Sequence, residues 1–297
     1  MPVKSRKGPD EDPEAAFFSL LDRRGQDDIS IDLFRTIIWD HYHAYARPMA
    51  WRETLDPYCI YVSEVMLQQT QVERVKIKYP EFIKAFPDFP SLARAPLGEI
   101  LRVWQGMGYN RRAKLMKAAA ERIVSEFAGN IPRDVADLRT LPGLGPATAG
   151  SVAAFAYNTP VVFIETNIRR VFIHFFFRER EDVADSEILP LVERSLDREH
   201  PREWYYALMD YGAMLKQEVN NPNLRSRAYK RQSSFEGSSR QVRGKILRLI
   251  LDVGPTDRKT ISRRIDDDKG RAEMIIGELI AEGFLEADED GSIRIAD

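Results

Sequence analysis

Apolar residues recur at helical spacing along most of the chain. Over residues 29–45, Leu33, Phe34, Ile37, Ile38 and Tyr42 share one face, which predicts a helix. Asp56-Pro57 can open a second helix over residues 58–68, with Ile60, Val62, Val65 and Met66 apolar. Residues 70–86 carry Val72, Val75, Tyr79, Phe82, Ile83 and Phe86 on one side, with an interruption expected near Pro80. Leu92, Ile100, Leu101 and Trp104 mark a short helix pair, and residues 111–127 a long helix. A short helix-like segment ends at residues 135–138, and the small apolar run 151–156 suits a close-packed helix. Between them lies Leu141-Pro142-Gly143-Leu144-Gly145-Pro146, a tight glycine turn. An extended apolar stretch, 160–167, precedes helices at 168–177, 186–196 and 202–216. No alternating strand pattern occurs in this part of the chain.

The last fifth changes character. Helices are expected over residues 241–253, 257–264 and 269–282. Two alternating segments, 283–287 and 292–295, then flank Asp290-Gly291, a hairpin signal. Helix, short helix, helix and two-stranded wing is the order of a winged helix. The fold class expected is all-α, a two-lobed helical body with a small C-terminal winged-helix-like α+β domain. The divisions expected are a loose polar arm at 1–27 with one short helix at 14–21, a helical domain at 28–222, a basic linker at 223–240, and the winged module at 241–297.

Composition narrows the class. With 43% hydrophobic and 30% charged residues, the 297-residue chain can bury a core. No apolar run approaches the roughly 20 residues that span a bilayer, so no membrane partner is expected. The polar, acidic stretch 9–14 is unlike a signal peptide. Cys59 is the only cysteine, which excludes an internal disulfide and any cluster held by several thiolates of this chain. A reducing cytoplasm fits that usage. A net charge of −2 argues weakly against nucleic-acid binding, but local patches escape that sum. Arg225, Arg227, Lys230, Arg231, Arg240, Arg243, Lys245 and Arg248 are interrupted by one acid, Glu236. Two readings stay open for this stretch: a solvated linker, or contact with phosphates. The third helix of the winged module carries Lys269 and Arg271 with Glu273, Glu278 and Glu282, so a structural or docking role fits it as well as base readout.

Three features can carry chemistry. The hairpin around Gly143 and Gly145 permits positive φ and points N–H groups at the start of the next helix, which suits a phosphate. An ordinary helix–helix turn has the same letters. Glu64 is a carboxylate in an apolar helix stretch followed by amides, a setting for a raised pKa and general-acid work, or for a plain surface residue. Glu165 ends the run 161–164 beside a helix N-terminus, which favours its ionised form. Its bland counterpart is a helix start capped by Thr166 or Asn167. His174 reads as a packing histidine, and His41 and His43 lack a metal-ligand set.

Taken together, SEVMLQQTQV (63–72), WQGMGYNRRA (104–113), LPGLGPATAG (141–150) and YALMDYGAM (206–214) resemble the helix-hairpin-helix (HhH-GPD) DNA glycosylases. The first string is similar, more narrowly, to the signature of the adenine DNA glycosylase (MutY) family. The resemblance covers residues 34–215. It implies excision of a base flipped from duplex DNA, adenine opposite 8-oxoguanine or guanine first, by a monomer associated with the nucleoid. Glu64 would be the acid that protonates the leaving base and handles the attacking water. Glu165 would stabilise positive charge on the sugar, with Asn167 positioning the site; such bonds break through an oxocarbenium-like state. Gln69 and Tyr109 would fill or probe the opened stack. Leu141, Gly143, Gly145, Ala147 and Thr148 would hold phosphates, with a monovalent cation on the carbonyls of Arg139, Leu141 and Leu144, and Arg225, Arg227, Lys230 and Arg231 would contact DNA.

The chain also departs from that family. Glutamate stands at 165 where aspartate is usual, and Thr166 where glycine is common. Residues 216–240 have no cysteine where a four-cysteine iron–sulphur cluster usually follows, so the cluster is expected to be absent and no cofactor is expected. Ala147 occupies the place of the lysine that lyase-type relatives such as endonuclease III use for Schiff-base chemistry, which predicts a monofunctional enzyme. A winged-helix-like segment stands where the family carries a Nudix-like domain that senses 8-oxoguanine. Two further readings follow from these departures: excision of another base, such as uracil, thymine or a damaged pyrimidine, and a DNA-structure-binding protein with weak catalysis.

Overall fold

The structure, a computed structural model, describes residues 12–231, 234–265 and 269–296. The chain divides into two units, each assembled from two stretches: residues up to Pro48 with Asn158–Lys230, and Met49–Tyr157 with residues from Arg231 onward.

The first unit holds α1 (Pro13–Arg24), α2 (Asp28–Tyr45), α10 (Thr166–Phe176), α11 (Asp185–Ser195) and α12 (Pro201–Glu218). Its core is aromatic. Phe17, Phe34, Phe172, Phe175 and Trp204 are fully buried. Phe34 meets Phe175 and Phe176 edge-on, with ring centroids 5.1 Å away in both cases. Here the expectation of a loose arm is corrected from Asp12 onward; residues 1–11 lie outside the described residues. Helix α1 belongs to the core because Phe17 packs on Phe175 at 5.1 Å. Glu14 pairs with His174 at 2.9 Å and accepts the Tyr211 hydroxyl proton. His174 is thus a packing histidine with a partner. The expected linker also begins later than its composition suggests. Pro222, Asn223 and Ser226 are buried, and a parallel bridge joins Ser226 to Val183. Backbone pairing rather than an apolar face holds this strap: Val183 donates to the Arg225 carbonyl and Arg227 to the Val183 carbonyl, both at 2.9 Å.

The second unit holds α3 (Pro57–Leu67), α4 (Val72–Ala85), α5 (Phe89–Arg94), α6 (Leu97–Trp104), α7 (Arg111–Glu126), α8 (Val135–Thr140) and α9 (Pro146–Tyr157). Helix α9 is buried on nearly all sides from Ala149 to Ala156, and its small residues let α3 lie close against it. Helix α4 runs unbroken through Pro80, against expectation. One missing N–H is tolerated because Val75, Tyr79 and Phe82 are buried before and after it. The same unit includes α13 (Ser239–Val253), β1 (Thr256–Asp257), α14 (Arg258–Ile265), α15 (Lys269–Ala281), β2 (Leu285–Ala287) and β3 (Ser292–Ile295). These form a winged helix with an antiparallel sheet in the order β1-β3-β2. Strand β1 adds a third strand to the two expected; two residues are too few to show alternation. Among the described residues, no helix is long and apolar enough to cross a membrane.

Candidate active site

In the second unit the hairpin is the turn from α8 to α9. Gly143 has φ +84°, which favours glycine, and a Cβ there would sit 3.1 Å from Leu115 Cβ and press that side chain aside. Gly145 differs from expectation: its φ is not positive and nothing lies within 4 Å of where a Cβ would be. The turn therefore needs only one left-handed residue. Helix α9 begins at Pro146, so its first-turn N–H groups, including those of Ala147 and Thr148, lie at a helix N-terminus. The Leu141 carbonyl accepts the Leu144 N–H at 3.2 Å.

Helix α3 is tied to this hairpin. Gln68 donates from Nε2 to Thr148 Oγ1 at 3.0 Å and to the Gly143 carbonyl at 3.3 Å. Glu64 lies one turn back on α3, half-buried between the buried Ser63 and Val65. Beyond α3 the chain turns at Gln69, which takes φ +53°, and the loop between α6 and α7 turns at Tyr109, with φ +48°. Left-handed backbone is disfavoured for both residue types and persists only where neighbours fix it.

Arg112 fixes both loops, and sequence reasoning missed it. It is 8% exposed and has carbonyls and a hydroxyl, not a carboxylate, around it. Its Nη1 donates to the carbonyls of Val65 and Met66 at 2.9 and 2.8 Å. Its Nη2 reaches Thr70 Oγ1 at 2.9 Å, the Gly108 carbonyl at 3.1 Å and the Met107 carbonyl at 3.3 Å. The guanidinium also lies 5.1 Å from the Trp104 ring centroid and 5.7 Å from that of Tyr109. Burial pushes its pKa down to about 10, which leaves it charged at neutral pH.

In the first unit Glu165 is itself the cap of α10, so of the two readings open for this stretch the cap falls to the carboxylate and not to Thr166 or Asn167. Its Oε1 accepts the backbone N–H groups of Asn167 at 2.6 Å and Ile168 at 2.7 Å, and Oε2 accepts from Asn167 Nδ2 at 3.2 Å. Asn167 Oδ1 in turn accepts from Arg170 at 2.7 Å, and Arg170 anchors on the Gly212 carbonyl at 2.6 Å. The residue is partly exposed while its carboxylate is enclosed. Burial raises the Glu165 pKa; the two N–H groups and the Arg170 and Arg169 charges offset this only in part. Asn167 and Glu165 are thus held to each other by hydrogen bonds from both the backbone and the side chain of Asn167.

Gly212 explains the glycine of the fourth string. A Cβ there would fall 2.5 Å from the Asn167 carbonyl oxygen and 2.8 Å from Asn167 Cβ. Only glycine lets α12 approach the start of α10. Gly212→Ala is expected to destabilise the protein by about 1–3 kcal/mol through overpacking, read as a lower urea midpoint at unchanged slope. A loss under about 0.5 kcal/mol would show that the two helices can separate at no cost.

The basic stretch splits. Arg225 donates to the carbonyls of Phe177, at 2.8 Å, and Arg178, and Arg227 forks onto Asp182 at 2.6 Å. Both hold the strap to its own unit. Lys230 and Arg231 are exposed. An iron–sulphur cluster does not fit here: residues 216–231 supply arginine and amide groups but no thiolate, and Cys59 lies on α3. Among the described residues, no group of three His, Cys, Asp or Glu side chains is placed to hold a metal.

Residues 62–191 match the HhH-GPD superfamily base excision DNA repair protein family. The chain is 32% identical over 286 residues to the adenine DNA glycosylase of Mycolicibacterium smegmatis, covering 90% of this chain and 97% of that protein. It is 30% identical over 279 residues to the adenine DNA glycosylase of Mycobacterium tuberculosis, covering 86% and 90%. Among solved structures, a thermostable thymine-DNA glycosylase has a TM-score of 0.56 at 24% identity, covering 62% of this chain and 86% of that one. A trapped endonuclease III–DNA covalent intermediate has 0.55 at 17% identity, covering 63% and 87%. These two likenesses establish the fold, that of helix-hairpin-helix glycosylases. With the full-length relatives, the chain belongs to the HhH-GPD superfamily and, within it, to the adenine DNA glycosylase family.

Proposed function

We propose that the protein is a monofunctional base-excision-repair glycosylase that hydrolyses the N-glycosidic bond of adenine paired with 8-oxoguanine or guanine in duplex DNA. The likeness to adenine DNA glycosylases over nearly the whole chain carries this reading. Glu64 protonates the departing adenine and directs water to the sugar. Glu165 is the anion that faces the developing oxocarbenium charge, and Asn167 holds it in place. Gln69 and Tyr109 enter the stack that the flipped base vacates. Their left-handed backbones, stapled by Arg112, are the geometry a rigid wedge needs. The hairpin of Leu141, Gly143, Gly145, Ala147 and Thr148 takes the backbone phosphates at the α9 N-terminus, with a monovalent cation on the carbonyls of Arg139, Leu141 and Leu144. Lys230 and Arg231 add phosphate contacts, whereas Arg225 and Arg227 act as structural staples. The protein works as a cytoplasmic, nucleoid-associated monomer without an iron–sulphur cluster.

Duplexes with adenine opposite 8-oxoguanine or guanine, incubated with the protein and then treated with alkali, test this. Strand scission is expected only after alkali, since Ala147 provides no amine for lyase chemistry. Scission no greater than that of a Glu64→Gln control would overturn the assignment. Scission with uracil, thymine or damaged pyrimidines in preference to adenine would move it to another base.

A further inference from the structure

The winged module is bolted to both helices that flank the Tyr109 loop. On α6, Gly98 faces Leu251 and Ile295, which would touch a Cβ there at 3.8–3.9 Å. On α7, Lys114 donates to the carbonyls of Glu282 and Gly283, the latter at 2.8 Å, and lies 5.3 Å from the Phe284 ring centroid. From this seat α13 extends Arg240 to the loop. Arg240 Nη1 donates to the Tyr109 hydroxyl at 2.5 Å, and its guanidinium carbon lies 5.3 Å from the ring centroid. The same arginine reaches back to the Ser234 carbonyl at 3.4 Å. Arg240 lies outside residues 62–191, the segment that matches the glycosylase family. It also stands in the first turn of α13, where the helix dipole disfavours a cation. The Tyr109 and Ser234 contacts offset part of that cost.

We propose that Arg240 is a positioning residue through which the winged module presets the Tyr109 side chain for entry into the base stack. The inference rests on the glycosylase reading above. A tyrosine with a free ring would surrender its rotamers as it inserts, whereas one already held has little left to lose. The module thus assists base extrusion without touching a base.

The test uses the full chain and a duplex with 2-aminopurine beside the target adenine, so that fluorescence reports unstacking and alkali-revealed scission reports single-turnover excision. Arg240→Ala is expected to slow both by about tenfold, the effect of losing one hydrogen bond made by a charged group. Arg240→Lys keeps the charge but not the fork or the stacking, and is expected to recover only part of the rate. In a Tyr109→Leu background, Arg240→Ala is expected to add nothing. Additive effects would overturn the proposal. So would an unchanged unstacking rate with weaker duplex binding and a salt slope lower by about one, the mark of a plain phosphate contact. Wild-type protein that unstacks without excising sinks the chemistry alone; unstacking equal in wild type and Arg240→Ala sinks the positioning role alone; wild type that does neither sinks both.

Discussion

Arg112→Met is expected to cost about 3 kcal/mol of stability and to slow excision by more than the loss of folded protein explains. Methionine matches the stem of the arginine and removes its donors. Five acceptors then lose a partner: the carbonyls of Val65, Met66, Met107 and Gly108, and the Thr70 hydroxyl. Two of them keep another donor, because Gln68 N–H reaches the Val65 carbonyl at 3.3 Å and Trp104 Nε1 reaches that of Gly108 at 3.0 Å. That keeps the estimate below the sum of five orphaned groups. The functional loss has a separate origin. Val65, Met66 and Thr70 bracket Gln69, while Met107 and Gly108 precede Tyr109, so one guanidinium fixes two left-handed turns at once. Without it both turns can relax toward ordinary φ, and the wedge loses its shape. Arg112→Lys retains the charge, but an ammonium cannot span two loops or lie flat on Trp104, so less than half of either loss should return. Urea unfolding reads the first effect, and single-turnover excision per folded molecule, well below the melting point, reads the second. A variant within 1 kcal/mol of wild type with unaltered excision would remove Arg112 from any positioning role.

That residue also marks the limit of the sequence. Periodicity located the helices to within a few residues, since 3.6-residue repeats are local. The four strings located the hairpin, Glu64, Gln69 and Tyr109, while Glu165 stands outside them and is marked only as the carboxylate that ends the run 161–164 beside a helix start. Arg112 lies inside one string without a signal of its own, because a cation in the first turn of an amphipathic helix has the look of its neighbour Arg111, which is exposed. Only the tertiary meeting of the α3 C-terminal end with the 105–110 loop gives it acceptors. Arg225 and Arg227 show the opposite case, charges whose partners in the fold no local pattern announces. Charge alone aimed them at phosphates, but a guanidinium fork binds carbonyls and carboxylates equally well, and here Phe177, Arg178 and Asp182 supply them. Helix α1 is legible at 14–21, but its place in the core is not, because two adjacent phenylalanines in polar surroundings show no apolar face. The cap of α10 went to Glu165 rather than to Thr166 or Asn167 because the longer side chain folds back on its own helix, a geometry that capping preferences underweight.

Glu165 yields the second large effect, with opposite signs on activity and stability. Glu165→Gln keeps the shape and removes the charge. Excision is expected to fall about 10²–10³-fold, as when a preorganised electrostatic group is deleted. Stability at neutral pH is expected to rise. Burial holds this carboxyl above its ordinary pKa, so the folded state binds the proton more tightly than the unfolded chain does. The stabilisation from that proton is complete below the unfolded value, roughly 4.3, and is lost as pH rises through the folded value. Above both, wild type carries an ionised buried group that glutamine does not. The stability gap should therefore be widest near neutrality and close as pH falls toward 4, which paired urea titrations read directly. A gap that is absent at neutrality or widens in acid would overturn the account. Glu165→Asp separates charge from length. Oε1 already accepts the two N–H groups that an aspartate cap takes, so the extra methylene is absorbed in the fold-back and the anion stays at the α10 N-terminus. Excision by this variant is expected within about tenfold of wild type, in either direction, because the helix end rather than the side-chain length sets the position of the charge. A change beyond 10²-fold would mean that the glutamate occupies a site of its own, about one carbon–carbon bond (~1.5 Å) from where an aspartate would stand.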